Sequence, residues 1–337
     1  MTLLVKSSEQ QMTAVVVRGS GVALQQIAVP ACGETEVLVR VLACGMNRAD
    51  LSVAAGEKHG NIGGDGTVVG MEWAGEVVAV GASVPTVPHA VAVGDRVMCS
   101  GRAAFAEFAV CDYGRVLKIP EGMDFKTACT LPIALQTMHQ AIVSAGGFRS
   151  GQSVLIQGAS SGVGLMGMQI AKGLGASIVI GTSTNIERRG LLADFGADLS
   201  LDSSDPSWPE QVQQATQGGV DLIIDMISGK TVNQSLAATR VLGTIVNVGR
   251  LGGAKDVFDF DLHAMRRINY VGVTFRTRSV DEVRDIVDGV RRDLSHLVAD
   301  GSLRLPIDKT FPLANAAEAF KYMKSNAHFG KIVLLPV

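Results

Sequence analysis

The stretch VLIQGASSGVG (154–164) carries the most specific chemical pattern of this chain. It joins a short apolar run to a helical pattern that begins at Val163. Glycine lets a backbone approach phosphate oxygens closely, and a helix N-terminus offers unpaired N–H groups with a partial positive charge. The stretch is a variant of G-x-G-x-x-G, because Ala159 and Ser160 replace the first glycine of the motif, and it predicts a cradle for a dinucleotide pyrophosphate. An ordinary tight turn between a strand and a helix is the alternative. The predicted cradle residues are Gly158, Ala159, Ser160, Ser161, Gly162, Val163 and Gly164.

The end of the next apolar run bears on which dinucleotide would bind. A site for NAD commonly places an acidic residue about twenty positions after the glycine turn, where it binds the ribose 2′-hydroxyl. This chain has Thr182 and Ser183 there, with Arg188 and Arg189 one turn later. Hydroxyl groups and a guanidinium suit a 2′-phosphate, which arginine binds in bidentate fashion. The pattern therefore predicts NADPH, with Arg188 as the phosphate ligand; a solvated helix face beside Glu187 is the alternative.

The organisation of the chain indicates what must position these residues. Residues 13–120 contain short β-branched runs separated by glycine and proline, which is typical of a β-rich domain. From about residue 127, apolar runs alternate with helical patterns, which predicts a doubly wound parallel sheet of the α/β class. The tail returns to a β-rich pattern. We therefore expect one domain at 129–301 and a second domain formed by 13–128 and 302–337.

The composition narrows the class of protein. The 337 residues are 47% hydrophobic and 18% charged with a net charge of −2, so the chain can build substantial cores and lacks the basic surface of a nucleic-acid-binding domain. Its apolar regions are interrupted by charges, so no membrane-spanning segment is predicted. Five cysteines without a CxxC pair and six scattered histidines predict neither a disulfide framework nor a metal site. We expect a cytoplasmic protein.

Several sequence blocks follow one another along the chain. They are ACGMNRADL (43–51), GMEWAGEVVAVG (70–81), VGDRV (93–97), FAEFAVCDYGRVLKIPEGMDFKTACTLP (105–132), VLIQGASSGVGLMGMQIAKGLGA (154–176), DLIIDMISG (221–229) and GKIVLLP (330–336). In this order, the blocks resemble the medium-chain dehydrogenase/reductase superfamily. The resemblance implies a GroES-like β-rich catalytic domain and a Rossmann domain. It also implies a homodimer or homotetramer, often paired through the edge strand matching Tyr270–Phe275.

The resemblance points to the zinc-free branch of this superfamily. Where the zinc alcohol dehydrogenases carry catalytic cysteine and histidine ligands, this chain has Asn47 and Met71, and only Glu72 remains. An amide and a thioether are poor zinc ligands. The chain therefore looks like the quinone oxidoreductases, zeta-crystallin-like proteins and enoyl reductases. This implies hydride delivery from NADPH to a small-molecule acceptor, a quinone or an α,β-unsaturated carbonyl. A 2-enoyl-thioester or 2-enoic acid reductase is one alternative, and an NADPH-binding protein with little activity is another.

Two residues are the predicted catalytic groups. The amide of Asn47 would donate a hydrogen bond to the oxygen that becomes negative during reduction. Asp50 would organise the same loop or relay a proton. A structural turn is the alternative for Asn47.

The remaining candidates follow from positions that match the family's pattern. The predicted cofactor ligands outside the cradle are Thr137, Thr182, Ser183, Arg188, Gly249, Arg250, Phe329 and Lys331. Lys331 could instead be a solvated residue at a strand start. Arg48, Lys58 and Arg276 would form a basic entrance for an anionic substrate. Surface ion pairs with Asp281 and Glu282 are the alternative for the arginines at 276 and 278.

Overall fold

The computed structural model describes residues 10–60, 62–86 and 90–336. The strands are β1 (Gln11–Arg18), β2 (Gly21–Ala28), β3 (Glu36–Gly45), β4 (Glu72–Val80), β5 (Arg96–Ser100), β6 (Phe108–Asp112), β7 (Val116–Lys118), β8 (Ser153–Gln157), β9 (Ile178–Thr182), β10 (Leu199–Leu201), β11 (Val220–Asp225), β12 (Thr239–Asn247), β13 (Asn269–Gly272), β14 (Ile307–Pro312) and β15 (Lys331–Leu335). The α-helices are α1 (Arg48–Ala54), α2 (Phe125–Ala128), α3 (Pro132–His139), α4 (Gly162–Gly173), α5 (Ile186–Gly190), α6 (Trp208–Thr216), α7 (Val232–Ala238), α8 (Phe260–Arg266), α9 (Val280–Ala299) and α10 (Ala316–Lys324).

The chain divides into two compact units. The first unit contains the residues up to Ile133, the segment Arg276–Arg291 and the residues from Leu305 onward. The second unit contains Ala134–Phe275 and Arg292–Arg304.

The first unit is built on a seven-stranded sheet. Its strands lie in the order β14-β15-β3-β4-β5-β7, with β6 also pairing with β3, and β1 and β2 form a separate hairpin. Strand β3 pairs antiparallel with β15 and β4, and Gly45 at its end lies opposite Val333 on one side and Glu72 on the other. A buried apolar core that includes Trp73 and Phe105 stabilises this arrangement. The end of β3 is therefore held between two neighbouring strands.

The second unit contains a six-stranded parallel sheet. Its order is β10-β9-β8-β11-β12-β13, so the first strand of the unit, β8, lies in the middle. This is the doubly wound order, and the strand order reverses between β8 and β11. Ligands of such sheets bind outside the carboxyl ends of the strands at that reversal. The two sheets confirm the predicted α/β class with one β-rich and one doubly wound domain.

Some element boundaries differ from the sequence prediction. The pattern of IERRGLLADFGA (186–197) predicts one helix, but the segment forms only the short α5, followed by a 3-10 turn over Leu192–Phe195. Glycine in a helix interior costs conformational entropy, and Gly190 ends α5. Strand β13 ends at Gly272 although the apolar pattern runs to Phe275. The short helix α1, which begins directly after Asn47, was not predicted.

Candidate functional site

The predicted glycine cradle follows β8 at the point where the strand order reverses. Gly158 has a φ of +73°, in the left-handed region that favours glycine. The next residue, Ala159, donates its backbone N–H to the Thr182 carbonyl at 2.9 Å, which joins the turn to the end of β9. Helix α4 then begins with Ser161 as its N-cap, whose hydroxyl accepts the N–H of Gly164 at 3.1 Å.

Gly164 is required by close packing between the turn and the helix. A Cβ added there would lie 2.7 Å from the carbonyl oxygens of Gly158 and Ala159. Contacts this short do not occur between real Cβ atoms and backbone, so no larger residue fits without moving the turn. The order of strand, left-handed glycine, capped helix and obligatory glycine fits a dinucleotide pyrophosphate.

Hydroxyl groups support the cradle from the side of β9. Thr182 is fully buried, donates its hydroxyl to Gln157 Oε1 at 2.6 Å and accepts the Gly158 N–H at 3.2 Å. Its side chain therefore holds the glycine turn in place. The hydroxyls of Ser183 and Ser160 lie 3.0 Å apart and link the two loops that would flank a nucleotide.

The two neighbouring arginines of α5 have different surroundings. The Arg189 guanidinium donates to the Ser183 carbonyl at 2.8 Å and forms an ion pair with Asp202 at 2.9 Å. Arg188 is half-buried, and its backbone N–H is capped by the Asn185 side chain at 2.9 Å. These contacts commit Arg189 to the structure of its own unit.

Other predicted cofactor ligands of the second unit lie on α3 and after β12. Thr137 is half-buried on α3. The loop after β12, with Gly249 and Arg250, is braced by Ser228, whose hydroxyl donates to the Gly249 carbonyl at 2.8 Å. Ser228 has a φ of +55°, which a residue with a side chain rarely adopts, and its hydroxyl also accepts from the Asn247 amide. Ser228 therefore joins the end of β12 to the loop that follows it.

The first unit brings together Asn47, Asp50, Glu72 and Lys331. Extending the register of β15 against β3 by two residues places Lys331 opposite Asn47. On the other side of β3, the antiparallel register sets Glu72 opposite Gly45. The helix α1 begins after Asn47 and carries Asp50 in its first turn. Three separate sequence segments thus meet at the end of one strand.

The carboxamide of Asn47 lies between opposite charges. Its Nδ2 donates to Glu72 Oε1 at 2.9 Å, and its Oδ1 accepts from Lys331 Nζ at 3.0 Å. The Lys331 ammonium also forms an ion pair with Glu72 Oε1. The second carboxylate oxygen, Oε2, accepts the Ile133 N–H at 2.9 Å. Glu72 is fully buried and Lys331 only 5% exposed, so the interpretation of Lys331 as a solvated residue is wrong.

Asp50 caps the helix and is itself fully buried. Its Oδ2 accepts the Asn47 backbone N–H at 2.7 Å, and its Oδ1 has no hydrogen-bond partner among the described residues. Burial raises the pKa of Asp50 to about 7; the Glu72 carboxylate acts in the same direction, and the Asn47 N–H and the Lys331 ammonium act against it. Asp50 therefore combines a structural hydrogen bond with a proton that it can hold near neutral pH.

Replacing Asp50 with asparagine is expected to flatten the pH dependence of stability. Because the pKa of Asp50 is higher in the folded protein than its unfolded value of about 4, its contribution is fully present below pH 4 and is lost as the pH rises towards 7. The free energy of unfolding of D50N, relative to that of wild type, should therefore increase as the pH rises from 4 to 7, by at most about 1.4 kcal/mol per pH unit. Urea unfolding between pH 4 and 8 measures it. D285N, at an exposed position on α9, is the control, and parallel curves for D50N and wild type would contradict the assignment.

Of the three residues of the predicted basic entrance, Arg48, Lys58 and Arg276, the structure brings the last beside the loop that contains the second. Lys58 and Arg276 are exposed, and a Cβ added at Gly60 would lie 3.3 Å from the Cβ of Arg276, so Arg276 packs beside the loop that follows Lys58. Burial and the Arg276 charge lower the pKa of His59 in this loop. Arg48 is exposed at the start of α1.

Arg278, two positions after Arg276, forms a surface ion pair. Arg278 lies 2.6 Å from Glu282, as the alternative predicted, whereas Asp281 pairs with Arg284 at 3.0 Å.

The residues at the family's zinc position do not fit a zinc ion. They are Asn47, Met71 and Glu72, of which only the last is a good ligand, and its Oε1 already binds an ammonium and an amide. Nowhere in the described ranges do three or more histidine, cysteine or acidic side chains form a group that could hold a metal.

Comparison with known proteins agrees with this architecture. A sequence profile described as "Alcohol dehydrogenase GroES-like domain" matches residues 33–121, and one described as "Zinc-binding dehydrogenase" matches residues 162–290. A mycocerosic acid synthase-like polyketide synthase of Mycobacterium tuberculosis is 30% identical over 311 residues, which make up 90% of this chain and 14% of that protein. The chain thus spans a small part of this curated relative.

Two solved structures cover nearly the whole chain. A mycobacterial quinone oxidoreductase is 26% identical with a TM-score of 0.86, covering 96% of this chain and 100% of that one. A mycobacterial protein complexed with NADPH is 25% identical with a TM-score of 0.84, covering 97% and 100%.

The chain belongs to the medium-chain dehydrogenase/reductase superfamily, with a GroES-like domain and a Rossmann domain. A mycobacterial quinone oxidoreductase is among its structural neighbours, so the predicted resemblance to this superfamily is confirmed. Within the described part of the chain, no helix combines the length and apolarity needed to cross a bilayer.

Proposed function

We propose that this chain is a cytoplasmic NADPH-dependent oxidoreductase that reduces a quinone or an α,β-unsaturated carbonyl compound without zinc. The observation that carries the proposal is the glycine cradle after β8, with the hydroxyls of Thr182, Ser183 and Ser160 beside it and no acidic residue at positions 182–186. The similar mycobacterial protein complexed with NADPH supports the choice of cofactor. The five cysteines are free thiols, as expected in a reducing compartment.

Different residues of the chain would bind the cofactor and stabilise the acceptor. Bound NADPH supplies the hydride, and the protein must orient the cofactor and stabilise the negative charge that develops on the acceptor oxygen. The cradle and Arg188 would bind the phosphates, while Thr137, Gly249, Arg250 and Phe329 would line the rest of the cofactor. Lys331 is not placed among them, because its buried ammonium is already bound to Glu72 and Asn47. Asn47 is the proposed donor to the acceptor oxygen, because one of its two Nδ2 hydrogens is not used by Glu72.

A steady-state comparison of acceptors tests the proposed function. The assay follows NADPH oxidation with a quinone, a simple enone, a 2-enoyl-CoA and a simple ketone, each also run with NADH. We expect turnover of the quinone or enone with NADPH and no turnover of the ketone, which lacks a conjugated acceptor. Tight NADPH binding by calorimetry without turnover of any acceptor would identify a binding protein instead.

A 2-enoyl-thioester or 2-enoic acid is the second candidate acceptor. Two observations favour it: the exposed Lys58 and the neighbouring Arg276 could attract an anionic substrate, and the chain resembles a segment of a polyketide synthase. A kcat/KM for the enoyl-CoA well above that for the enone, falling with ionic strength, would establish this candidate.

We further propose a homodimer or homotetramer that pairs through the edge strand β13. The segment directly before this strand exposes Val257, Phe260 and Met265, which are 77%, 76% and 68% exposed. An open edge strand with apolar neighbours is suited to pairing with a second copy. The variant F260D/M265K is expected to raise the dissociation constant of the assembly at least about tenfold in sedimentation velocity. Unchanged sedimentation across a dilution series would place the interface elsewhere, and the variant V280D, exposed on α9, is the control.

A further inference from the structure

We propose that the buried ion pair of Lys331 and Glu72 is a positioning device that holds the Asn47 carboxamide in one orientation and leaves one Nδ2 hydrogen for the acceptor oxygen. This inference rests on the proposed function, in which Asn47 is the donor. It assigns Lys331 and Glu72 as positioning residues, which act through Asn47.

The chemistry of the two partners permits only one orientation of the amide. An asparagine amide can turn by half a rotation and exchange its oxygen and nitrogen. An ammonium has only hydrogens to donate, and a carboxylate can only accept. Lys331 therefore requires Oδ1, and Glu72 requires Nδ2, as the structure shows. The reversed amide would set N–H groups against the ammonium and oxygen against the carboxylate.

The device is rigid because its members are held by the backbone. Glu72 accepts the Ile133 N–H with its other oxygen, and a Cβ added at Gly45 would lie 2.7 Å from Glu72 Oε1. The carboxylate therefore lies directly over the end of β3. The backbone of Lys331 is held at the start of β15, where its N–H donates to the Pro306 carbonyl at 2.9 Å, and its ammonium is held by the ion pair with Glu72. Both partners therefore have contacts other than the amide.

Burial also gives the pair an electrostatic role. Hydrogen bonds in a low-dielectric environment polarise one another, so an ammonium on Oδ1 strengthens the remaining N–H of the amide as a donor. Replacement of a buried ion pair by uncharged side chains is often neutral for stability. The Asn47 orientation, rather than the fold, is therefore what the pair is expected to provide.

A double-mutant cycle between the ion pair and Asn47 tests the device. The variant K331M/E72Q removes both charges with little change of volume, which avoids leaving one charge buried alone. It is expected to lower kcat about 10- to 100-fold, as for partners that orient a reacting group, with little change in the KM for NADPH. In the N47A background, the same pair of substitutions should change kcat by less than about twofold. Additive effects in the two backgrounds would overturn the proposal. The surface pair of the exposed Lys118 and the half-buried Asp95, changed to K118M/D95N, is the control.

A measurement without turnover separates this inference from the proposed function. In protein labelled with 15N-asparagine, the Asn47 side-chain signals are assigned by their absence in N47A. Their hydrogens should exchange with solvent at least about tenfold faster in K331M/E72Q than in wild type, because the amide is no longer held. Equal exchange rates would overturn the positioning role even if the enzyme reduces quinones. Slow exchange in a wild-type protein that reduces no acceptor would instead remove the proposed function alone.

Discussion

Replacing Asn47 with alanine is expected to lower kcat about 10- to 1000-fold, the range for loss of one donor to a developing oxyanion. The amide is half-buried and oriented between Lys331 and Glu72, so it needs no rearrangement when charge develops on the acceptor. Preorganised donors of this kind stabilise the transition state more than the bound acceptor. The KM for NADPH should therefore change much less than kcat, which steady-state kinetics with a quinone and an enone measures.

The control for N47A is an asparagine that also donates to a glutamate but lies away from the site. Asn315 is also hydrogen-bonded to a glutamate, since its Nδ2 donates to Glu318 at 3.1 Å on the exposed surface of the first unit. N315A should keep the wild-type rate. The fold of N47A is checked by circular dichroism and by its unfolding curve. If the folded variant reduces the acceptors at the wild-type rate, Asn47 is only a turn residue and the cap of α1.

The glycine cradle could be predicted because its signal is local. The strand, the turn and the helix that form it are adjacent in sequence, and each has its own pattern: an apolar run, a group of glycines and a helical pattern. The structure confirms this order of elements. The commitment of Arg189 to Asp202 could not be predicted, because it depends on how β10 lies beside β9.

The cluster around Asn47 shows what local patterns cannot predict. Lys331 is 284 residues from Asn47 and 259 from Glu72, and only the pairing of β15 with β3 brings them together. The resemblance to a family identifies Asn47 and Asp50, but it does not predict that the Lys331 ammonium lies beside them. A signal was present: Glu72 remains at a position where the expected metal ligands are absent, and a buried carboxylate requires a positive partner.

Replacing Arg188 with alanine is expected to raise the KM for NADPH about 10- to 100-fold, because a hydrogen bond to a charged group is worth about 1.5–3 kcal/mol. The KM for NADH, which has no 2′-phosphate, should stay nearly unchanged. The physical reason is the sequence at the end of β9, where Thr182, Ser183, Thr184 and Asn185 stand in place of the carboxylate that a site for NAD commonly has. Initial rates at saturating acceptor, with each cofactor varied, measure the two KM values.

The neighbouring arginine supplies a control with the same charge change. Arg189 is paired with Asp202 and bonded to the Ser183 carbonyl, so R189A should lower the free energy of unfolding and affect NADPH and NADH alike. Selective loss of NADPH use in R189A with normal kinetics in R188A would exchange the two assignments. If neither variant distinguishes the cofactors, the loop after β9 does not bind a 2′-phosphate. The basis for choosing NADPH over NADH would then be lost, while the pyrophosphate cradle formed by Gly158 and Gly164 would be unaffected.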